Sequence, residues 1–383
     1  MNKPMRKPPE SSTSLTRRDF LKLGGLALLG LALPPFAPGL PAFPIRNDNF
    51  FLGAITTRSL AGSLPRSTAA QSPLFQQGRI LEDSISVMET PNFSATRVKL
   101  LWMDAVVPIL GVTLSDDTSS HNQVWYQVGE NEYVHSGAVQ PVRTAVNQPV
   151  ASLPEGGVLA EVTVPFTDAH WKPSRSEAVA YRFYYETTHW IIGILQGEDG
   201  TTWYQVLDDK WELSYYVQAP HLRVIPAEEL APISPHVPSI LKYLEVRLAD
   251  QLIIAYEGYV PVFMARIASG ARFSDGNFTT PHGSFLTFHK RPSRHMAAGN
   301  LAANGYDLPG VPWICYFTES GIALHGTYWH NNYGAPRSHG CINLTPQASK
   351  WIYRWTHPYV HPHEQMRYED YGTSLRISET GEL

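Results

Sequence analysis

The sequence predicts a mainly β protein with a short helix late in the chain, and three observations carry that expectation. Short runs of β-branched and aromatic residues recur, punctuated by Gly, Asp and Asn turn signals. A W-Y-Q-V tetrad occurs twice, at Trp125 and Trp203, 78 residues apart, each time trailed by an extended segment that ends in an aliphatic strand. After Thr345, a helix start signal precedes apolar residues at helical spacing.

Composition bounds the alternatives. With 383 residues, 43% hydrophobic and 17% charged, the chain has room for two or three globular domains. Residues 1–42 carry six basic and two acidic side chains, so the remainder moves from the overall net charge of −4 to −8. A mature chain of that sign lacks the basic field that nucleic-acid binding needs.

Thr16-Arg17-Arg18-Asp19-Phe20-Leu21-Lys22, followed by the apolar run Leu23–Leu33, has the layout of a twin-arginine signal. The run is short of the roughly 20 residues that span a bilayer. The chain is therefore expected to be exported across the cytoplasmic membrane, to the periplasm or cell wall. It would touch the membrane only through residues 1–42 if that signal stays uncleaved. No Cys follows the apolar run, which argues against a lipoprotein anchor.

The two W-Y-Q-V copies mark two small β-barrels, at roughly 75–145 and 150–226. Val124–Val128 and Thr202–Val206 are strands, Gly197–Gly200 is a hairpin turn, and Ala160–Phe166 and Trp190–Leu195 are further strands. Both barrels resemble bacterial Src-homology-3-like domains, which implies cell-wall binding through exposed rings such as Tyr133 and Trp211. The plainer expectation is that most of the aromatics fill barrel cores. A Pro-rich linker, 227–240, separates the barrels from the last domain and reads as a semi-rigid spacer.

From 241 the strand pattern continues. Leu244, Val246 and Leu248 alternate with Glu245 and Arg247, Gln251–Tyr256 returns as a hairpin, and Val260–Ala268 is another apolar run. Thr280-Pro281-His282-Gly283 is a turn, and Trp313–Phe317 pairs with Ile322–His325. Thr345 is a suitable N-cap and Pro346 a suitable first residue of a helix whose apolar face carries Ala348, Trp351, Ile352 and Trp355. His357-Pro358 ends it.

The chemistry concentrates between Ile322 and Leu344. His325 closes an apolar run, a loop rich in Asn, Gly and Pro follows, and Ser338-His339-Gly340-Cys341 comes next. A thiol becomes a nucleophile as its thiolate, so a base must lie within reach. The glycine before the thiol frees the backbone and admits a substrate carbonyl to main-chain N–H groups. Cys315, the only other cysteine, sits inside W-I-C-Y-F and reads as a small buried hydrophobe rather than a disulfide partner.

H-G-T at His325, with S-H-G-C-I-N from Ser338 and sixteen positions between His325 and Cys341, resembles the signature of the bacterial L,D-transpeptidase catalytic domain. T-P-x-G-x-F at Thr280–Phe285 matches a second element of that family, and Gly372–Ser378 resembles its closing strand. The second residue after the Cys is often Arg in the family and is Asn343 here. The likeness covers 241–378 and implies a β-sandwich with a short helix after the Cys. Cys341 would be the nucleophile and His325 the general base. Ser338, His339 and Gly340 would support them, with His339 orienting the imidazole or tuning the thiolate and main-chain N–H groups near Gly340 and Cys341 holding the oxyanion.

The implied reaction is acyl transfer between peptidoglycan stem peptides. Cys341 attacks the third residue of a tetrapeptide, D-Ala leaves, and an amine of another stem takes the acyl group in a 3→3 cross-link. Carbapenem-type β-lactams would acylate the same thiol, and no metal or organic cofactor is needed. Water as acceptor would make an L,D-carboxypeptidase. A non-catalytic wall-binding protein and a zinc site built from His325, His330, His339 and Cys341 are the readings from other classes. His330 is expected to face solvent from its loop.

Overall fold

The computed structural model describes residues 77–274, 276–299 and 305–380, which belong to one unit, Ser72–Leu383. The export signal expected at 1–42 lies outside the described residues. Strands dominate and, among the described residues, one α-helix occurs, Pro346–Trp355.

Alternation builds the first two regions, and they share one topology. In residues 158–224 a seven-stranded sheet runs Val179–Tyr184, Phe166–His170, Leu213–Gln218, Thr202–Asp208, Thr188–Gln196, Val158–Val162, Leu222–Val224. In residues 77–142 the same order recurs as Arg97–Trp102, Ser84–Met88, Glu132–His135, Val124–Gly129, Gly111–Leu114, then Val106–Pro108, Gln77–Ile80, Val139–Val142. The counterpart of the long strand Thr188–Gln196 is broken there around Ile109 and Leu110, so one sheet becomes two. Each W-Y-Q-V strand is followed by a hairpin, a 3-10 turn (Ser136–Ala138 or Ala219–His221) and a closing strand paired with its region's first strand. Trp125 and Trp203 are both buried, and Tyr133 is half-buried, whereas Trp211 is exposed.

The last region is an eight-stranded sheet in the order Val260–Arg266, Leu252–Glu257, Lys242–Arg247, Arg367–Ser378, Gly283–Ala298, Tyr306–Tyr316, Ala323–Gly326, Ile342–Leu344. Leu244 and Val246 face its core, as their alternation with Glu245 requires. The closing strand is longer than the expected Gly372–Ser378. Thr345 caps the helix by accepting the Ala348 N–H at 3.2 Å, and Ile352, Tyr353 and Trp355 pack with Trp313, Leu324 and Leu344. Two buried lysines close its other end. Lys290 donates to the carbonyls of Tyr353 and Thr356, and Lys242 to that of Trp355.

Segment 227–240 is not a free spacer. Leu230 and Ile233 pack against the last region's core, Ile233 N–H donates to Arg354 O at 3.1 Å, and Glu229 bridges Arg223 and Lys350. Its prolines fix the backbone, but the two aliphatic side chains between them have apolar surface to bury and a hydrophobic neighbour to bury it on.

Candidate active site

Parallel pairing of the two short strands at one end of the sheet, Ala323–Gly326 and Ile342–Leu344, sets the geometry. Leu324 pairs with Ile342, His325 with Asn343 and Gly326 with Leu344. Side chains alternate across a strand, so His325 and Asn343 share one face, and Cys341, just ahead of its strand, enters on that same side. The Ala323 main chain hydrogen-bonds the Cys341 thiol, which fixes the sulfur next to the start of the His325 strand.

His325 is buried, and its Nδ1 lies 3.0 Å from Gly326 O. A carbonyl only accepts, so Nδ1 carries the proton and Nε2 of the neutral ring carries the lone pair. Burial pushes His325 down to about 4, the Gly326 hydrogen bond opposing it. Burial likewise pushes Cys341 up to about 11, against the Ala323 hydrogen bond. The resting pair is thus a neutral thiol beside a neutral imidazole; burial prevails over any thiolate–imidazolium pairing.

The turn that presents the thiol is tied from behind. Gly340 has φ +113°, a conformation glycine adopts without strain. Its N–H donates to Ser338 Oγ at 3.2 Å, and the Ser338 hydroxyl donates to Cys341 O. Thr280 Oγ1 donates to Gly340 O at 2.9 Å while accepting the Gly270 N–H at 2.8 Å, so the T-P-x-G-x-F element does lie at the site. Gly270 admits no side chain, because a Cβ there would stand 2.1 Å from Phe278 O and 2.8 Å from Gly340 Cα. Gln251 completes the support by exchanging hydrogen bonds with Ser269 at 2.8 and 2.9 Å.

Three expectations change. His339 is exposed, and its ring contacts are with Phe273 at 4.9 Å, Phe278 at 4.7 Å and Tyr306 at 6.3 Å, so it joins an aromatic lip rather than orienting His325. Gly340 has its N–H committed to Ser338, so it is no donor for an oxyanion. His330 does not face solvent: it is 6% exposed, its Nε2 accepts from Asn343 Nδ2 at 3.0 Å, and burial holds it down to about 3. Its loop is covered by the first region, where Asn331 donates to Ser136 O and Val139 O and Arg79 reaches Tyr328 O. Loop composition indicated a polar turn but not that another region would lie over it.

Cys315 and Cys341 are both free thiols. Among the described residues no group of three or more His, Cys, Asp or Glu side chains is arranged to hold a metal ion. Sequence reasoning missed Tyr306 and Tyr316, phenols raised chiefly by burial, with Arg294 and Arg291 opposing it at Tyr316. It missed Gly270 and Gln251 as well, neither of which carries a local signal.

Residues 241–372 match the family model of the YkuD L,D-transpeptidase catalytic domain. Over that stretch the chain is similar to an L,D-transpeptidase catalytic domain. No curated protein matches the chain. Among solved structures, a mutant of the Enterococcus faecium L,D-transpeptidase is similar at 22% identity over 36% of this chain and 49% of that one, with a TM-score of 0.28. An L,D-transpeptidase from Mycobacterium smegmatis is similar at 22% over 36% and 58%, with a TM-score of 0.29. LdtMt1 in complex with imipenem is 15% identical over 61% of this chain and 99% of that chain, at a TM-score of 0.29. The chain spans about half the length of the first of these relatives.

Proposed function

We propose that this chain is a peptidoglycan L,D-transpeptidase with Cys341 as nucleophile and His325 as general base. The observation that carries the reading is the parallel register of Ala323–Gly326 with Ile342–Leu344. That register supports the reading because it puts the part-exposed thiol on the same face as an imidazole whose Nδ1 is committed to Gly326 and whose Nε2 carries the lone pair. Because both groups rest neutral, the thiol proton passes to His325 Nε2 as the S–C bond forms to the carbonyl of the stem's third residue. The Cys341 N–H takes the oxyanion role, worth about 3–4 kcal/mol for one such donor. The D-Ala nitrogen leaves with the proton held by His325. An amine of a second stem then attacks the thioester, and its proton returns through His325 to the sulfur, giving a 3→3 cross-link. Water in place of the amine gives L,D-carboxypeptidase activity.

In this reading carbapenem-type β-lactams acylate Cys341, the twin-arginine segment exports the chain to the periplasm or cell wall, and regions 75–145 and 150–226 are Src-homology-3-like accessories. Purified mature protein incubated with a tetrapeptide stem tests it. Release of D-Ala with a tripeptide thioester on the Cys341 peptide supports the reading; a mixture in which neither forms overturns it.

A further inference from the structure

Two adjacent acids at the end of a strand outside the catalytic domain grip three residues of one strand within it, Arg291, Arg294 and His295. Asp209 Oδ2 accepts from Arg294 at 2.6 Å and from Arg291 at 2.7 Å, while its Oδ1 accepts the His295 main-chain N–H at 2.8 Å. Asp208 Oδ2 lies 2.5 Å from His295 Nδ1, and His295 Nε2 meets Asp307 Oδ1. Lys210 Nζ donates to Ala297 O at 3.1 Å, and Trp211 packs edge-on against the His295 ring at 6.0 Å. His295 is 3% exposed. With a carboxylate at each nitrogen, both nitrogens donate, and the ring is an imidazolium bridging two sheets.

Both lines of contact run on toward the turn that carries Cys341. Arg294 hydrogen-bonds the Tyr316 side chain, and Asp307 is next in the chain to Tyr306, whose ring stands 6.3 Å from that of His339. Tyr316 pairs with Ala323, whose main chain hydrogen-bonds the Cys341 thiol, and Tyr316 and Cys341 pack against one apolar cluster. We infer that the Asp208–Asp209 pair at the end of strand Thr202–Asp208 is a positioning element of the acyl-transfer site, acting through Arg294 on Tyr316 behind Cys341 and through His295 and Asp307 on Tyr306 beside His339. The inference rests on Cys341 being the nucleophile. It gives the preceding region a part in turnover, beyond any part in wall binding.

Charge links this element to pH. The groups facing His295 are Asp208 and Asp209 from the gripping segment, Asp307 from Tyr306–Tyr316, and Tyr181, whose hydroxyl donates to Asp307 Oδ2 at 3.2 Å. Tyr215 and the neutral His189 lie behind them. Burial lowers His295, but the hydrogen bonds and charges of Asp208 and Asp307 outweigh it and hold the ring above its ordinary value. The bridge therefore stands at neutral pH and is lost as pH rises through that raised value.

The test uses the full mature chain, with imipenem as the acylating probe and intact mass as the readout across pH. Wild-type acylation should fall in a step on the alkaline side. His295→Gln should remove the step and slow acylation at neutral pH by about ten- to a hundredfold, the range for misplacing a reactive site from a distance. Asp208→Asn should move the step to lower pH, and Asp209→Asn should slow acylation while moving the step less. Imidazole nitrogen NMR supplies a readout independent of activity, with both His295 nitrogens protonated at pH 7. Folded variants that keep the wild-type rate and pH profile, or a neutral His295 ring at pH 7, would overturn the inference. Wild-type protein that fails to acylate at Cys341 would instead sink the reading of the nucleophile, and the NMR would still decide the charge of the bridge.

Discussion

The two cysteines occupy the same sheet and differ in what surrounds them. Cys315 is fully buried in Tyr306–Tyr316, its sulfur 3.7 Å from Thr356 Oγ1 and close to the Lys290 ammonium. Cys341 is part-exposed on a turn, with no cation against it but an imidazole on the neighbouring strand. Burial raises both thiols. In the proposed mechanism, therefore, a nearby positive charge does not make the nucleophile. Access and a base in register do, which is why thiolate formation is assigned to the attack rather than to the resting state.

Removing the sulfur breaks the comparison most completely. Cys341→Ala should abolish cross-linking and D-Ala release, scored by mass spectrometry of stem products. His325→Ala should slow acylation by roughly three orders of magnitude, in the range that general base catalysis supplies. In the wild type, acylation should hold on a plateau and then fall as pH drops through about 4, where the ring gains the proton that disables it as a base.

Thr280→Val tests the support behind the turn. It strips the Gly340 carbonyl of a donor and leaves the Gly270 N–H without its acceptor. The expected cost is about 1–3 kcal/mol of stability in denaturant melts, with roughly tenfold slower acylation as the thiol loses its placement.

Acid should also soften the fold. Burial holds His189 to about 3, His325 to about 4 and His330 to about 3. The unfolded chain takes up protons below its ordinary imidazole value that the folded chain refuses. Stability is thus full above that value and is lost as pH falls toward the folded ones, by up to about 1.4 kcal/mol per pH unit for each ring. Thermal melts from pH 7 to 4 would record it, and His330→Gln should flatten the slope. The smallest effect belongs to Cys315→Ala, which should leave acylation unchanged and cost about 1 kcal/mol through a small cavity.

The proposed His325–Cys341 pair could be picked out of the sequence because its spacing lies within one short stretch, and the repeat was legible because its tetrads are identical. What escaped was carried by contacts between distant segments. Gly270 matters only because Phe278, Thr280 and Gly340 converge on it, and Gln251 only because Ser269 comes to rest against it. His330 looked like a loop residue until the first region's strands covered its loop. Prolines in 227–240 drew attention from Leu230 and Ile233, which tie that segment to the catalytic core. Burial by a remote neighbour leaves no mark on the local pattern.

The most direct measurement is intact-mass and peptide mapping of the Cys315→Ala protein after exposure to imipenem, with wild type alongside. A single adduct on the peptide carrying Cys341, at the wild-type rate, is the predicted result. An unmodified Cys341 in folded protein, or an adduct that follows Cys315 in the wild type, would contradict the account.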